Sequence, residues 1–168
     1  SKLFKLNKKL IIVRHSKSSW KDLSLDDFNR PLNKRGKEDG PIISNYLSKK
    51  TNFIDFLHSS SSVRTFETSK FFTERIKFGK VKYDDSLYHS SSGSILNLIK
   101  NYSNEYSSVM LIAHNPGLTH LINQITNISL DNLPTTGLAE IHFSCNKWNE
   151  ISSKNSNLID LKFPKQLK

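Results

Sequence analysis

The chain alternates short unbroken apolar runs with longer stretches whose apolar residues recur at helical spacing. The first run, Leu10-Ile11-Ile12-Val13, is β-branched and does not alternate, as expected of a strand covered on both faces. Phe53-Ile54-Asp55-Phe56-Leu57-His58 and Val109-Met110-Leu111-Ile112-Ala113 read as further strands, the latter the most strongly apolar. Lys80-Val81-Lys82-Tyr83 reads as an edge strand. Residues 138–143 read as a strand of alternating apolar and polar positions, and residues 148–151 with 158–161 as added edge pairing. Four groups of apolar residues mark helical faces: Ile42, Ile43, Tyr46 and Leu47; Val63, Phe66, Phe71 and Phe72; Ile95, Leu96, Leu98, Ile99 and Tyr102; Leu118, Leu121, Ile122 and Ile125. Strands and helices take turns, so the pattern predicts an α/β fold, a three-layer α/β/α sandwich with a mostly parallel central sheet.

The polar junctions refine this picture. Asn33 is placed to cap the first helix, and Gly40-Pro41 inside its pattern predicts a kink or break near residues 37–41. The serines at 59–62 read as a strand-to-helix turn that puts Arg64 in the first turn of the next helix, and Pro116 suits a first helical turn. Residues 16–29 have no periodicity and read as a loop over the carboxyl end of the first strand, with Trp20 as its apolar anchor. Residues 133–137 form another loop, and residues 164–168 look frayed.

Composition narrows the class. A chain of 168 residues suits one domain, large enough to bury roughly two thirds of its unfolded surface. No apolar stretch approaches the about 18 residues of a membrane span. The basic start (Lys2, Lys5, Lys8, Lys9) leads into an apolar run too short for a secretory signal, so a cytoplasmic location is the expectation. Cys145 is the one cysteine, which excludes an internal disulfide and a cysteine-based zinc cluster and leaves it as a small apolar filler. The net charge of +10 favours anionic partners but is spread along the chain rather than gathered into a nucleic-acid-binding block.

Two apolar runs end in histidine, at Arg14-His15 and at His114-Asn115-Pro116-Gly117, and Arg64 opens a helix behind a third strand. Parallel neighbouring strands would bring Arg14, His15, Arg64 and His114 to one rim, where ligands of open α/β sheets gather. Guanidiniums clamp phosphoryl oxygens in a fixed fork and an imidazole attacks phosphorus, so this set makes a phosphoryl-transfer pocket that needs no metal.

These residues resemble a known family. Arg14-His15-Ser16-Lys17-Ser18-Ser19-Trp20, Arg30-Pro31-Leu32-Asn33-Lys34-Arg35-Gly36, Ser59-Ser60 with Arg64 and Thr68, and His114-Asn115-Pro116-Gly117-Leu118 look like the histidine phosphatase superfamily, and more narrowly its SixA-like phosphohistidine phosphatase branch. The likeness runs from about residue 8 to residue 145. It implies a phosphoglycerate mutase-like fold without a large cap insertion, a single domain over residues 1–168, and no cofactor or metal. It also implies that His15 is the nucleophile, that Arg14 and Arg64 bind phosphoryl oxygens, that His114 is a further donor, kept protonated by the phosphoryl dianion, and that Arg30 approaches the same pocket. The nucleophile's second nitrogen is expected to donate to a backbone carbonyl. Where the superfamily usually has Arg-His-Gly and Gly-His, this chain has Arg14-His15-Ser16 and Ala113-His114. Candidates for the general acid are Asp84 and Asp85, with Asp22, Asp26 and Asp27 as rivals; a weak acid would favour an N-linked phosphoryl group over an alkyl phosphate.

The leading expectation is a metal-independent phosphatase for phosphohistidine on a protein, with no nucleic-acid or membrane partner. Two alternatives stay open: a phosphatase for a small phosphorylated metabolite in a pocket walled by Trp20, Tyr88 and the loop around Thr135, and a non-catalytic module that binds phosphate or nucleic acid. A histidine metal site is disfavoured, since none of the six histidines pairs with another at i and i+4.

Overall fold

A computed structural model describes residues 7–168, so Lys2 and Lys5 of the basic start lie outside the described residues. In chain order the main elements are β1 (Asn7–Arg14), α1 (Lys34–Ser48), β2 (Phe53–Ser60), α2 (Val63–Thr73), β3 (Lys77–Asp84), α3 (Ser92–Lys100), β4 (Ser108–Ala113), α4 (Gly117–Ile125), β5 (Leu138–Ser144) and β6 (Ser156–Lys162). The six strands form one sheet in the order β3-β2-β4-β1-β5-β6. β3, β2, β4 and β1 run parallel, while β5 and β6 close one side antiparallel.

The unalternating run in β1 is explained by its two covered faces. Side chains of a strand point alternately up and down, so Leu10 and Ile12 enter one apolar layer with Ile95, Ile99, Leu118 and Leu121 of α3 and α4. Ile11 and Val13 enter the other, with Ile43 and Leu47 of α1 and Phe72 of α2. The result is the expected three-layer sandwich. The carboxyl ends of β1, β2 and β4 share one edge, and parallel register sets Arg14 beside Ala113.

Five expectations are corrected. First, α1 runs unbroken through Gly40-Pro41, with Asn33 Oδ1 accepting from the Gly36 N–H at 2.9 Å as its cap. Packing outweighs the proline penalty: Ile43 and Leu47 are fully buried, and a β-carbon on Gly40 would stand 2.2 Å from the Phe71 ring, so α2 closes directly over this turn. Second, Ser59 and Ser60 continue β2 in pairing with Tyr83 and Asp84, so only Ser61 and Ser62 make the turn, and Ser62 caps α2. Third, residues 138–141 are all buried rather than alternating, because both faces of β5 are covered: Leu138 enters one apolar layer, Ala139 and Ile141 the other, and Glu140 is buried beside Lys50. Fourth, Trp148–Glu150 is a short 3-10 turn, not a strand. It buries the indole, whose Nε1 donates to the Tyr106 carbonyl at 3.0 Å. Fifth, Pro164–Leu167 is an ordered 3-10 turn against α1, and Lys168 Nζ lies 2.8 Å from Asp39 Oδ1, paired by charge though not aligned as a hydrogen bond. Among the described residues no helix is long and apolar enough to cross a membrane.

Candidate active site

Arg14, His15, Arg30, Arg64 and His114 line one cavity of about 260 Å³ at the carboxyl edge of the sheet. Its floor is backbone-defined. The His15 N–H donates to the Ala113 carbonyl at 3.2 Å, and the Ser16 N–H donates to Thr68 Oγ1 at 2.9 Å. From the third side, the Thr136 N–H bonds the carbonyls of both Arg14 and His15 at 3.1 Å. Thr136 reaches this position with φ of 61°, a strained conformation for a β-branched residue of the kind found at functional sites.

His15 is 7% exposed, and its Nδ1 donates to the Ser16 carbonyl at 2.7 Å, which leaves Nε2 unprotonated. Burial, reinforced by the charges of Arg64, Arg14 and Arg30, pushes its pKa down to about 3, so the ring is neutral at physiological pH. His114 lies beside it with ring centroids 5.3 Å apart. The Nε2–H of His114 donates to Ser60 Oγ at 2.8 Å, and its Nδ1 accepts from Arg64 Nη2 at 3.4 Å. Burial, with His15 and Arg64 nearby, lowers its pKa to about 2, so it is neutral among the protein's own groups and needs a bound dianion to take a second proton.

The two flanking guanidiniums have capacity to spare. Arg14 Nη1 donates to the Leu133 carbonyl at 3.0 Å, and Arg64 Nη1 to the Asp27 carbonyl at 2.7 Å. The Nε–H groups of both are buried with no protein acceptor. With Arg30 these guanidiniums gather three positive charges on one cavity wall, which suits it to an anion. Arg30 is more fully committed: Nε and Nη2 bond Asp27 Oδ1 at 3.2 and 3.0 Å, and Nη1 bonds Ser18 Oγ at 2.8 Å.

Asp27, one of the rival acids, joins these arginines instead of donating a proton. Its Oδ2 accepts from Arg64 Nη2 at 2.9 Å, from Tyr88 Oη at 2.5 Å and from His89 Nε2 at 2.9 Å. Burial alone would raise its pKa, but the bonds from Tyr88, His89, Arg64 and Arg30 outweigh it and hold the carboxyl well below the carboxylate range. The other candidates stand elsewhere. Asp84 accepts from His58 Nε2 at 2.7 Å, Asp85 bonds Ser61, Asp22 caps Ser24, and Asp26 caps the Asp27–Asn29 turn. None of those four lines the cavity. Trp20 is no apolar anchor either: it is 68% exposed and lies over the Arg30 guanidinium at 3.6 Å. Backbone bonds from Ser19 to Pro31 and from Asn33 to Lys17 hold that loop.

Of Tyr88 and His89, sequence reading offered only Tyr88, as a wall of a metabolite pocket, and missed His89. Their one signal is position, in the turn that follows the carboxyl end of a parallel strand.

The buried histidines predict an acid-sensitive fold. Burial lowers the pKa of His15, His114 and His58. As pH falls through about 6.5 the unfolded chain therefore binds protons that the folded chain refuses, and stability declines. The urea midpoint is expected to be lower at about pH 5 than at about pH 7, and His15→Ala is expected to shrink that difference. Equal midpoints would mean that these rings are protonated in the fold.

No protein-family model matches the chain. An uncharacterized chloroplastic protein of Arabidopsis thaliana is 30% identical over 155 residues, spanning 86% of this chain and 71% of the relative. A protein assigned as phosphohistidine phosphatase SixA, from Agrobacterium tumefaciens, superposes with a TM-score of 0.76 at 26% identity, covering 92% of this chain and 97% of that one. Protein histidine phosphatase SixA complexed with tungstate gives 0.77 at 19% identity, over 95% and 99%. A mycobacterial glucosyl-3-phosphoglycerate phosphatase gives 0.61 at 12% identity, over 91% and 97%. The fold is thus the phosphoglycerate mutase-like α/β/α sandwich. With the SixA likeness at 26% identity over 92% of its length, the chain belongs to the histidine phosphatase superfamily.

Proposed function

We propose that the protein is a metal-independent phosphatase that removes the phosphoryl group from phosphohistidine on a partner protein through a covalent intermediate on His15. The observation that carries this reading is the state of His15, a buried and neutral imidazole whose Nδ1 is tied to the Ser16 carbonyl, leaving Nε2 unprotonated between Arg14 and Arg64. In the first step Nε2 attacks phosphorus as the bond to the leaving nitrogen breaks. In the second, water attacks the phosphorus held on His15 and phosphate departs. Arg14 and Arg64 hold the equatorial oxygens, their charge replacing what a metal supplies in other phosphotransferases. Arg30 braces this pair from its bonds to Asp27 and Ser18. His114 takes a proton when the dianion arrives and becomes a further donor.

The SixA neighbours, one of them 26% identical, support the phosphohistidine substrate. The glucosyl-3-phosphoglycerate phosphatase neighbour supports a second reading on the same chemistry, a small phosphorylated metabolite. A rapid-quench experiment with 32P-phosphohistidine protein, run beside an aryl phosphate, separates them. Label trapped on His15 with faster turnover of the phosphohistidine is the expected result. Label with turnover of small phosphates alone moves the substrate to metabolites, and no label from either removes the catalytic reading.

A further inference from the structure

His89 stands at the cavity rim, and the two-step reaction above gives it no task. It follows the short turn Asp85–Leu87 after β3, and its side chain is 51% exposed where His15 is buried. Its ring centroid lies 5.3 Å from that of His114. Nε2 stands 2.9 Å from Asp27 Oδ2, and because that carboxylate is ionised, Nε2 carries the hydrogen and donates. Nδ1 remains as the position that gains and loses a proton. The residue is held at φ of 53°, in the left-handed region that few non-glycine residues enter, histidine more readily than most.

The other groups around the cavity are unsuited to donating a proton. His15 and His114 are neutral, with pKa values lowered to about 3 and about 2. Asp27 is ionised, and the hydroxyl hydrogen of Tyr88 is given to Asp27, which with burial raises the phenol's pKa. An exposed imidazole at the rim, oriented by a carboxylate, is the group on the cavity wall placed to pass a proton to a bound substrate.

We propose that His89, positioned by Asp27, is the general acid and base of this site, a role that rests on the phosphotransfer reading above. As His15 Nε2 bonds to phosphorus and the bond to the leaving atom breaks, the electron pair left on that atom takes the proton from His89 Nδ1. His89 is then neutral. In the second step Nδ1 takes a proton from the water whose oxygen attacks phosphorus. The phosphorus–nitrogen bond breaks, its electron pair returns to His15, and His89 is again protonated for the next cycle. The chemical consequence is a wider substrate class: an alkoxide, which cannot depart unprotonated, becomes an accessible leaving group beside an imidazole, so phosphomonoesters fall within reach of the site.

The test is leaving-group dependence. His89→Asn keeps a residue type that tolerates the left-handed backbone, and phosphoenzyme formation is followed by rapid quench with 4-nitrophenyl phosphate, phenyl phosphate and an alkyl phosphate. The expected loss is less than about 3-fold for the nitrophenyl ester and about 100-fold or more for the alkyl ester. Added imidazole should restore part of the alkyl activity in His89→Gly, which leaves room for it. An equal loss across the series, or none, overturns the proposal by reducing His89 to a structural residue or a bystander. Where a variant fails to fold, the wild-type solvent deuterium isotope effect on alkyl phosphate cleavage decides, and a value near 1 overturns the proposal. Failure of the underlying reading is separately visible, as wild-type enzyme that acquires no label on His15.

Discussion

His15→Ala is expected to lower turnover at least roughly 10⁴-fold and to abolish labelled phosphoenzyme, while the fold survives. The loss is large because no other group can take over the attack. His114, the nearest imidazole, spends Nε2 on Ser60 and Nδ1 on Arg64. The fold survives because the positions of Arg14, His15 and Ser16 are set by backbone bonds to Ala113, Thr136 and Thr68 that do not involve the imidazole. Removing the ring also removes a buried base that the folded state keeps unprotonated, so the variant should lose less stability on acidification than the parent. Measured kcat with single-turnover labelling checks the first claim, and urea titration the second. Retained labelling in His15→Ala would place the nucleophile elsewhere.

Arg64→Ala is expected to weaken inorganic phosphate binding by at least about 10-fold and kcat/KM by about 10³-fold, since charge-assisted bonds are worth about 1.5–3 kcal/mol each and strengthen as charge develops. Two effects combine. The Nε–H of Arg64 is a buried donor without a protein acceptor, and its Nη1 and Nη2 fasten the Asp27 carbonyl and carboxylate. Alanine removes the clamp and also unfastens Asp27, and with it Arg30, Tyr88 and His89. Arg64→Lys should rescue little, because a point charge cannot replace a planar fork bonded on several sides. Calorimetric titration with phosphate beside steady-state kinetics tests this; full rescue by lysine would mean that charge alone matters at this position.

The half of the site that sequence reading recovered is the half delivered by regular structure. Arg14, His15 and His114 follow runs whose burial on both faces forces them to be strands, and Arg64 follows a strand and a capped helix start, so their meeting at one edge is a consequence of parallel pairing. Asp27, Tyr88 and His89 meet across about 60 residues from loops without periodicity, where no local rule says which carboxylate turns inward. Ser16 and Ala113 both serve the site where they stand: the Ser16 carbonyl accepts from His15 and its hydroxyl from Thr136 Oγ1, and the Ala113 carbonyl accepts from the His15 N–H. Of the kink or break expected near residues 37–41, the break is absent for a related reason: local propensity was weighed without the tertiary packing that a missing β-carbon at Gly40 permits.

The wall behind His15 is built from main-chain groups of Ser16, Ala113 and Thr136, whereas the indole of Trp20, which also lines the cavity, is turned to solvent. These two halves bear different evolutionary costs. A change in the main-chain wall would shift the reacting nitrogen, so that side tolerates little drift. A change at Trp20 reaches the Arg30 guanidinium it covers but no bond to the imidazole. The fit around the cavity mouth can therefore diverge at Trp20 while the position of the imidazole is kept.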